Sequence, residues 1–179
     1  NNLYRIVSHE NETGTKIVSA EPLRSSGTFI TSAFGSNTTF SSTNTIGTFL
    51  NGEYLTSYVD STYSDMIEES TTWYLGTVGS GTSYKLAKYT DTNMSSITLS
   101  TADAKVGLLR LGELMAGQFD RYGNNTTYWT LTPYSASIVR VVYNNGIATF
   151  YNPSRAYGVR PSVNLKSNVQ IVNGDGTLN

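Results

Sequence analysis

The chain has 179 residues, no cysteine, a net charge of −1 and only 14% charged side chains. That composition excludes disulfides, thiolate metal sites and cysteine nucleophiles, and it leaves no basic stripe along which a nucleic acid would bind. No apolar run approaches the roughly 20 residues of a membrane-spanning helix, so no membrane insertion is expected of this fragment.

Ser, Thr and Asn make up about a third of the chain, and tyrosine reaches 13. Polarity is therefore carried by hydroxyls and amides, a balance common in strand-rich secreted proteins and in adaptable binding surfaces. One domain over residues 1–179 is expected, since a chain of this length buries roughly 70% of its unfolded surface and needs no covalent staple. It starts inside a strand-like "NNLYRIVS" and stops at "GDGTLN". Both ends look cut, as in a fragment of a longer exported precursor.

"LYRIVS" (3–8) and "KIVSAEPL" (16–23) read as two strands joined by the turn "HENETGT". Residues 24–44 are polar and glycine-spiced, with Phe29, Phe34 and Phe40 spaced through them. They read as a loop pinned by aromatics. Over 44–60 the period changes to 3.6, with Ile46, Phe49, Leu50, Tyr54, Leu55, Tyr58 and Val59 on the repeat. This predicts a helix capped by Asn44 or Thr45 and weakened by Gly47 and Gly52. A second helix is expected over 61–70, capped by Ser61 or Ser64.

"TTWYLGTV" (71–78) reads as a strand, "GSGTS" (79–83) as a glycine turn and 84–104 as irregular. "KVGLLRL" (105–111) reads as a strand. A short helix over 111–119 should carry Leu111, Leu114, Met115 and Phe119 on one side. Strands are then expected over 127–134, 137–143, 147–151 and 159–165, with "NNG" (144–146) as a hairpin turn because Asn and Gly tolerate positive φ. Helices in the first half and antiparallel hairpins in the second make an α+β pattern.

Catalytic constellations are thin. His9 is the single histidine, sits in an expected turn, and has no nucleophile-elbow motif to serve. One histidine without cysteine makes no zinc site. The acids are scattered: Glu53, Asp60, Asp65, Glu68 and Glu69 on expected helices, Asp91, Asp103 and Asp120 in expected loops. None forms a recognisable pair for glycoside hydrolysis. "NGDGT" (173–177) has one acid where a calcium loop needs several. No metal and no cofactor are expected. Sequons at Asn11, Asn37, Asn93, Asn124 and Asn125 arise readily in a chain of this composition.

The segments "KVGLLRLGELMAGQF", "YWTLTPYSASIVRVVYNNG" and "YGVRPSVNLKSNVQIVNGDGT" carry a resemblance. Together with the "NTIGTFLNGEYL" helix they resemble surface proteins of gut-dwelling Gram-positive bacteria with a C-type-lectin-like fold. That fold is shared with the formylglycine-generating enzymes and with phage and bacterial ligand-binding proteins diversified by retroelements. The shared pattern falls on Leu108 to Glu113, Trp129 to Pro133, a variable hairpin over 134–157, and Gly158 to Leu165. Relatives often carry arginine after the leucine of that strand, whereas here Thr132 precedes Pro133 directly. The absence of cysteine removes the oxidase chemistry of the enzyme branch.

The resemblance implies that Trp129, Arg160 and Pro161 are framework. Alternation agrees: Val159, Val163 and Leu165 share one face, so Arg160 should lie under a loop, paired with a carboxylate or with carbonyls. Pro161 should mark an edge or a bulge, since it donates no ladder hydrogen bond. Binding is then expected upstream, in the region that varies. Its tyrosines are Tyr134, Tyr143, Tyr151 and Tyr157. Its amides are Asn144, Asn145 and Asn152, its hydroxyls Ser135, Ser137 and Ser154, and its cation Arg155. Aromatic faces, amides and hydroxyls together form a recognition set.

The expected function is that of an extracellular, cell-surface, non-enzymatic adhesion domain. It would bind a protein or glycan on another cell, a phage or the host. The competing expectations are a pilin-like or surface-layer structural subunit, and an enzyme acting on glycans through two carboxylates.

Overall fold

The computed structural model of the chain describes residues 3–10, 14–76, 100–117 and 125–170. Strands β1 (Tyr4–Glu10) and β2 (Gly14–Ser19) form the expected opening hairpin. His9 belongs to β1 and not to a turn; its Nδ1 lies 2.7 Å from Thr15 Oγ1. Within the expected loop 24–44 stand three strands of two or three residues: β3 (Arg24–Ser25), β4 (Thr28–Phe29) and β5 (Thr31–Ala33). Phe34 and Phe40 do pin this segment, both fully buried.

The apolar repeat over 44–60 forms two helices, not one: α1 (Thr45–Asn51) and α2 (Glu53–Ser57), broken at Gly52 with φ −122° and ψ −94°. Asn44 caps α1 by accepting from the Gly47 amide at 2.9 Å. Gly47 is required here, because a Cβ would collide with the Ser41 carbonyl. The next helix, α3 (Ser61–Ser64), stops after four residues. Asp60 caps it, and not Ser61 or Ser64: Thr62 N donates to Asp60 Oδ1 at 2.9 Å. Glu68 and Glu69 therefore lie outside any helix.

Strands β6 (Thr71–Gly76) and β7 (Ser100–Ala104) pair antiparallel, so the end of the segment expected to be irregular is a strand. The glycine turn at 79–83 and the acids Asp91, Asp120 and Asp175 lie outside the described residues, as does Phe119. The strand expected over 105–111 shortens to β8 (Val106–Gly107), followed by buried Leu108 and Leu109. Helix α4 (Leu111–Gly117) buries Leu114 but leaves Met115 exposed. The second half then runs β9 (Tyr128–Pro133), β10 (Val139–Val142), β11 (Ala148–Tyr151), β12 (Ala156–Gly158) and β13 (Ser162–Leu165).

Two larger sheets organise most of these strands, with β3–β4 and β6–β7 as separate two-stranded pairs. One has the order β1-β2-β13-β8, the other β11-β10-β9-β12-β5. Most pairings are antiparallel, and with the few short helices this is an α+β architecture; β12 pairs parallel to β9. The residues expected to form one strand over 159–165 instead cross from one sheet to the other. Gly158 ends β12, and Ser162 begins β13 three residues past Val159.

Alternation divides the strands between two apolar clusters. Trp129, Leu131, Val139 and Val141 pack with Phe34, Leu50, Val106 and Val163. From the opposite faces, Tyr128 and Val142 pack with Val18, Leu109 and Leu114. Asn51, at the end of α1, fastens that helix to the sheet edge. Its Oδ1 accepts from Val106 N at 2.9 Å and its Nδ2 donates to Val106 O at 3.0 Å, as a neighbouring strand would. Helix α4 is held at its start: Leu111 N donates to Thr132 Oγ1 and Arg110 N to Glu113 Oε2, each at 2.9 Å. Glu113 also binds Lys16 Nζ at 2.8 Å. The glutamate reaching back to the cap amide is half of a capping box.

Candidate functional site

The two parts of the C-terminal region expected to differ, frame and tip, are built differently. At the crossover between the sheets, Arg160 is only 2% exposed. Its Nε donates to Ser19 O at 2.8 Å, its Nη2 to Ala20 O at 2.8 Å, and its Nη1 to Tyr128 Oη at 3.0 Å. One guanidinium thus ties the end of β2 in one sheet to the start of β9 in the other. Of the two kinds of partner expected for it, these are carbonyls. Pro161 is neither at an edge nor in a bulge. It is buried, immediately precedes β13, and its carbonyl accepts from Ser19 N at 2.9 Å. β13 lies inside its sheet, between β2 and β8, and a proline before a strand's first residue removes no ladder bond. Trp129 is buried, donates from Nε1 to Ser32 O at 2.9 Å, and meets Phe34 edge-on.

Upstream, β10 and β11 make a hairpin that projects as the outer strands of the five-stranded sheet. The turn falls where it was expected: Tyr143 N donates to Ile147 O at 2.8 Å and Gly146 N to Tyr143 O at 2.9 Å, with Gly146 at φ 85° and neither asparagine at positive φ. Tyr143, Asn144, Asn145, Asn152, Ser154 and Arg155 are exposed. Asn145 and Asn152 stiffen their turns, accepting from Ile147 N at 3.1 Å and Ser154 N at 3.0 Å. Ser135 is half-buried and Ser137 exposed.

Not all of the expected site residues face outward. Tyr151 pairs across the strands with buried Val139, and Tyr157 meets Trp129 edge-on at 5.2 Å. The two rings lie 5.0 Å apart, half-buried against the main core. Burial, ahead of the neighbouring groups, raises the Tyr157 phenol above its ordinary value. These two tyrosines support the tip more than they compose it.

Two residues outside the expected set join it. Phe150, 41% exposed, stacks on Tyr134 at 4.3 Å, and the Arg140 guanidinium lies over the Tyr134 ring at 4.4 Å. The signal was present in the sequence. In "IATFY" (147–151) the period of two sends Thr149 and Tyr151 inward and Ala148 and Phe150 outward.

A concavity of about 610 Å³, away from this hairpin, was not expected at all. Its floor is Ile17, Val163 and Leu165 from the four-stranded sheet, with Ile67 beside them. Tyr4, Tyr54, Tyr58 and Tyr63 wall it, and Met66 and Asp60 stand at its margin. Tyr4 and Tyr54 share a hydrogen bond of 2.6 Å between their hydroxyls. Burial, then the adjoining Tyr4, drives the Tyr54 phenol far above its ordinary value and keeps it neutral.

Four of the acids in described positions have separate structural tasks. Glu69 binds Lys105 at 3.0 Å, Glu113 binds Lys16, Asp103 accepts from Thr72 Oγ1 at 2.7 Å, and Asp60 caps α3. Among the described residues no three metal-ligating side chains cluster, and no helix is long and apolar enough to cross a membrane. No protein-family model, curated protein or solved structure matches the chain.

Proposed function

We propose that the chain is an extracellular, non-enzymatic adhesion domain with a C-type-lectin-like fold, recognising a protein or glycan on another cell, a phage or the host through its 134–157 tip. The observation that carries this reading is the contrast of exposure within one short stretch. Tyr143, Asn144, Asn145, Asn152, Ser154 and Arg155 stand in solvent, while residues 158–163 directly after them are buried. Aromatic, amide and guanidinium groups held at the turns of a hairpin on a fixed frame suit recognition better than packing. The antiparallel sheets and short helices are compatible with the lectin-like fold implied by the "GVRP" and "WTLTP" segments.

The test is binding of labelled protein to a glycan array and to intact bacterial and epithelial cells. A variant carrying Tyr143→Ala, Asn144→Ala and Arg155→Ala should lose at least about tenfold in affinity with its melting temperature unchanged. Chelators should have no effect. Undiminished binding by that variant would move recognition away from the tip.

One observation favours a structural subunit as the second reading. β11 is the outermost strand of its sheet, with Ile147 60% and Phe150 41% exposed. Such an edge can accept a strand from another copy. Concentration-dependent assembly by sedimentation, with silent arrays and cells, would select it.

A further inference from the structure

We infer that the tyrosine-walled groove between the four-stranded sheet and the α2–α3 segment is a second binding site, built for a neutral pyranose sugar. It is separate from the tip, whose strands belong to the other sheet.

The groove has the size and character of a small-ligand site: about 610 Å³, apolar and aromatic walls, and a few polar groups. Its side chains select the ligand class by elimination. No lysine, arginine or histidine lines it, so an anion would find no counter-charge. The hydroxyl pair decides between the remaining classes. Tyr4 and Tyr54 together have two O–H groups, and their mutual bond uses one. Among the described residues neither hydroxyl has another partner, and Tyr54 is 1% exposed. Buried Tyr54 is out of an occupant's reach, so half-buried Tyr4 makes the contact, its hydroxyl taking an acceptor or a donor that the occupant supplies. A quaternary ammonium provides neither, and a primary ammonium only donates. A sugar hydroxyl does both.

The rest of the groove fits the same occupant. Tyr63 is 62% exposed, offering an aromatic face to the C–H side of a pyranose. Asp60 stands beside it with one oxygen engaged as the α3 cap, which fixes the carboxylate and leaves the other oxygen for sugar hydroxyls. Ile17, Val163 and Leu165 form a floor suited to the apolar face of the ring.

The experiment is saturation-transfer NMR on the wild-type chain with the methyl glycosides of glucose, galactose, mannose, fucose and N-acetylglucosamine, alongside tetramethylammonium. At least one glycoside should bind and the ammonium should not. Tyr63→Ala, at an exposed position, should weaken the glycoside about tenfold, and Tyr4→Phe should weaken it severalfold. The pair Tyr143→Ala and Asn145→Ala should leave it unchanged. Silence from all five glycosides, binding of tetramethylammonium in their place, or glycoside binding indifferent to Tyr63→Ala and Tyr4→Phe would each overturn the inference. Glycoside binding abolished by the tip pair would also overturn it, while leaving the tip reading in force.

Discussion

Arg155 and Arg160 are five residues apart and have opposite lives. Arg155 is exposed and lies over the Tyr151 ring at 5.4 Å. Arg160 is almost wholly buried and spends its donors on Ser19 O, Ala20 O and Tyr128 Oη. The residue type is the same, so the difference comes from the chain path: Arg155 sits in the connection after β11, whereas Arg160 sits where the chain passes from one sheet to the other. A buried guanidinium is tolerated only when its donors are satisfied, which makes Arg160 a constraint on every element it touches. Arg155 rests on exposed contacts with Tyr151 and Tyr157, which hold no second sheet in place.

That contrast can be broken most forcefully at Arg160. Arg160→Met should cost roughly 3–5 kcal/mol, since it strands two carbonyls and a buried phenol at once; urea unfolding reads it directly. Arg160→Lys should recover only part of the loss, because a single ammonium cannot span the three acceptors in their fixed geometry. Tyr128→Phe removes one of those acceptors and should cost about 2 kcal/mol by the same measurement.

Tyrosine shows the same division between frame and tip. Tyr54 is buried, and its pKa is raised, first by burial and then by Tyr4. Its unfolded phenol ionises near 10 while the folded one stays protonated. The unfolded state therefore binds fewer protons above that value, and stability falls as pH rises past about 10. The fall from this group approaches about 1.4 kcal/mol per pH unit. Melting curves at successive pH values should show a weaker alkaline loss in Tyr54→Phe than in the wild type. The smallest effect belongs to the tip: Arg155→Ala should change stability by less than about 0.5 kcal/mol, again by urea unfolding, while binding to the partner weakens.

Much of the frame was legible in the sequence, and for physical reasons. Asn44 announces the start of α1 and "NNG" announces the β10–β11 turn, whereas alternation only sets Arg160 opposite Val159 and Val163, and its framework role was implied by the "GVRP" resemblance. What was misjudged depended on information that local pattern lacks. The 3.6-residue repeat runs through Gly52 without interruption, yet the backbone there leaves helical geometry. Strands of two or three residues, such as β3 and β5, are too short to display alternation. Residues 159–165 keep a strand-like pattern although they change sheets, because periodicity records which face is buried and not which neighbour buries it.

The sites divide in the same way. The tip was visible as a hairpin, and closer attention to its period would have added Phe150 and turned Tyr151 inward. The groove had no local signature. Tyr4, Ile17, Tyr54, Tyr63 and Val163 come from separate segments, and it is the pairing of β13 with β2 that sets Val163 opposite Ile17.

The separation of frame from tip can be measured without knowing any partner. In a surface-display scan, each position from 143 to 163 is randomised and the displayed, folded fraction is recorded. The predicted result is that 143, 144, 154 and 155 accept nearly every residue, 145 and 152 somewhat fewer because their side chains hold the turns, and 158–163 few, with Arg160 the most restricted. Equal tolerance across the two stretches, or a tip more restricted than the crossover, would contradict it.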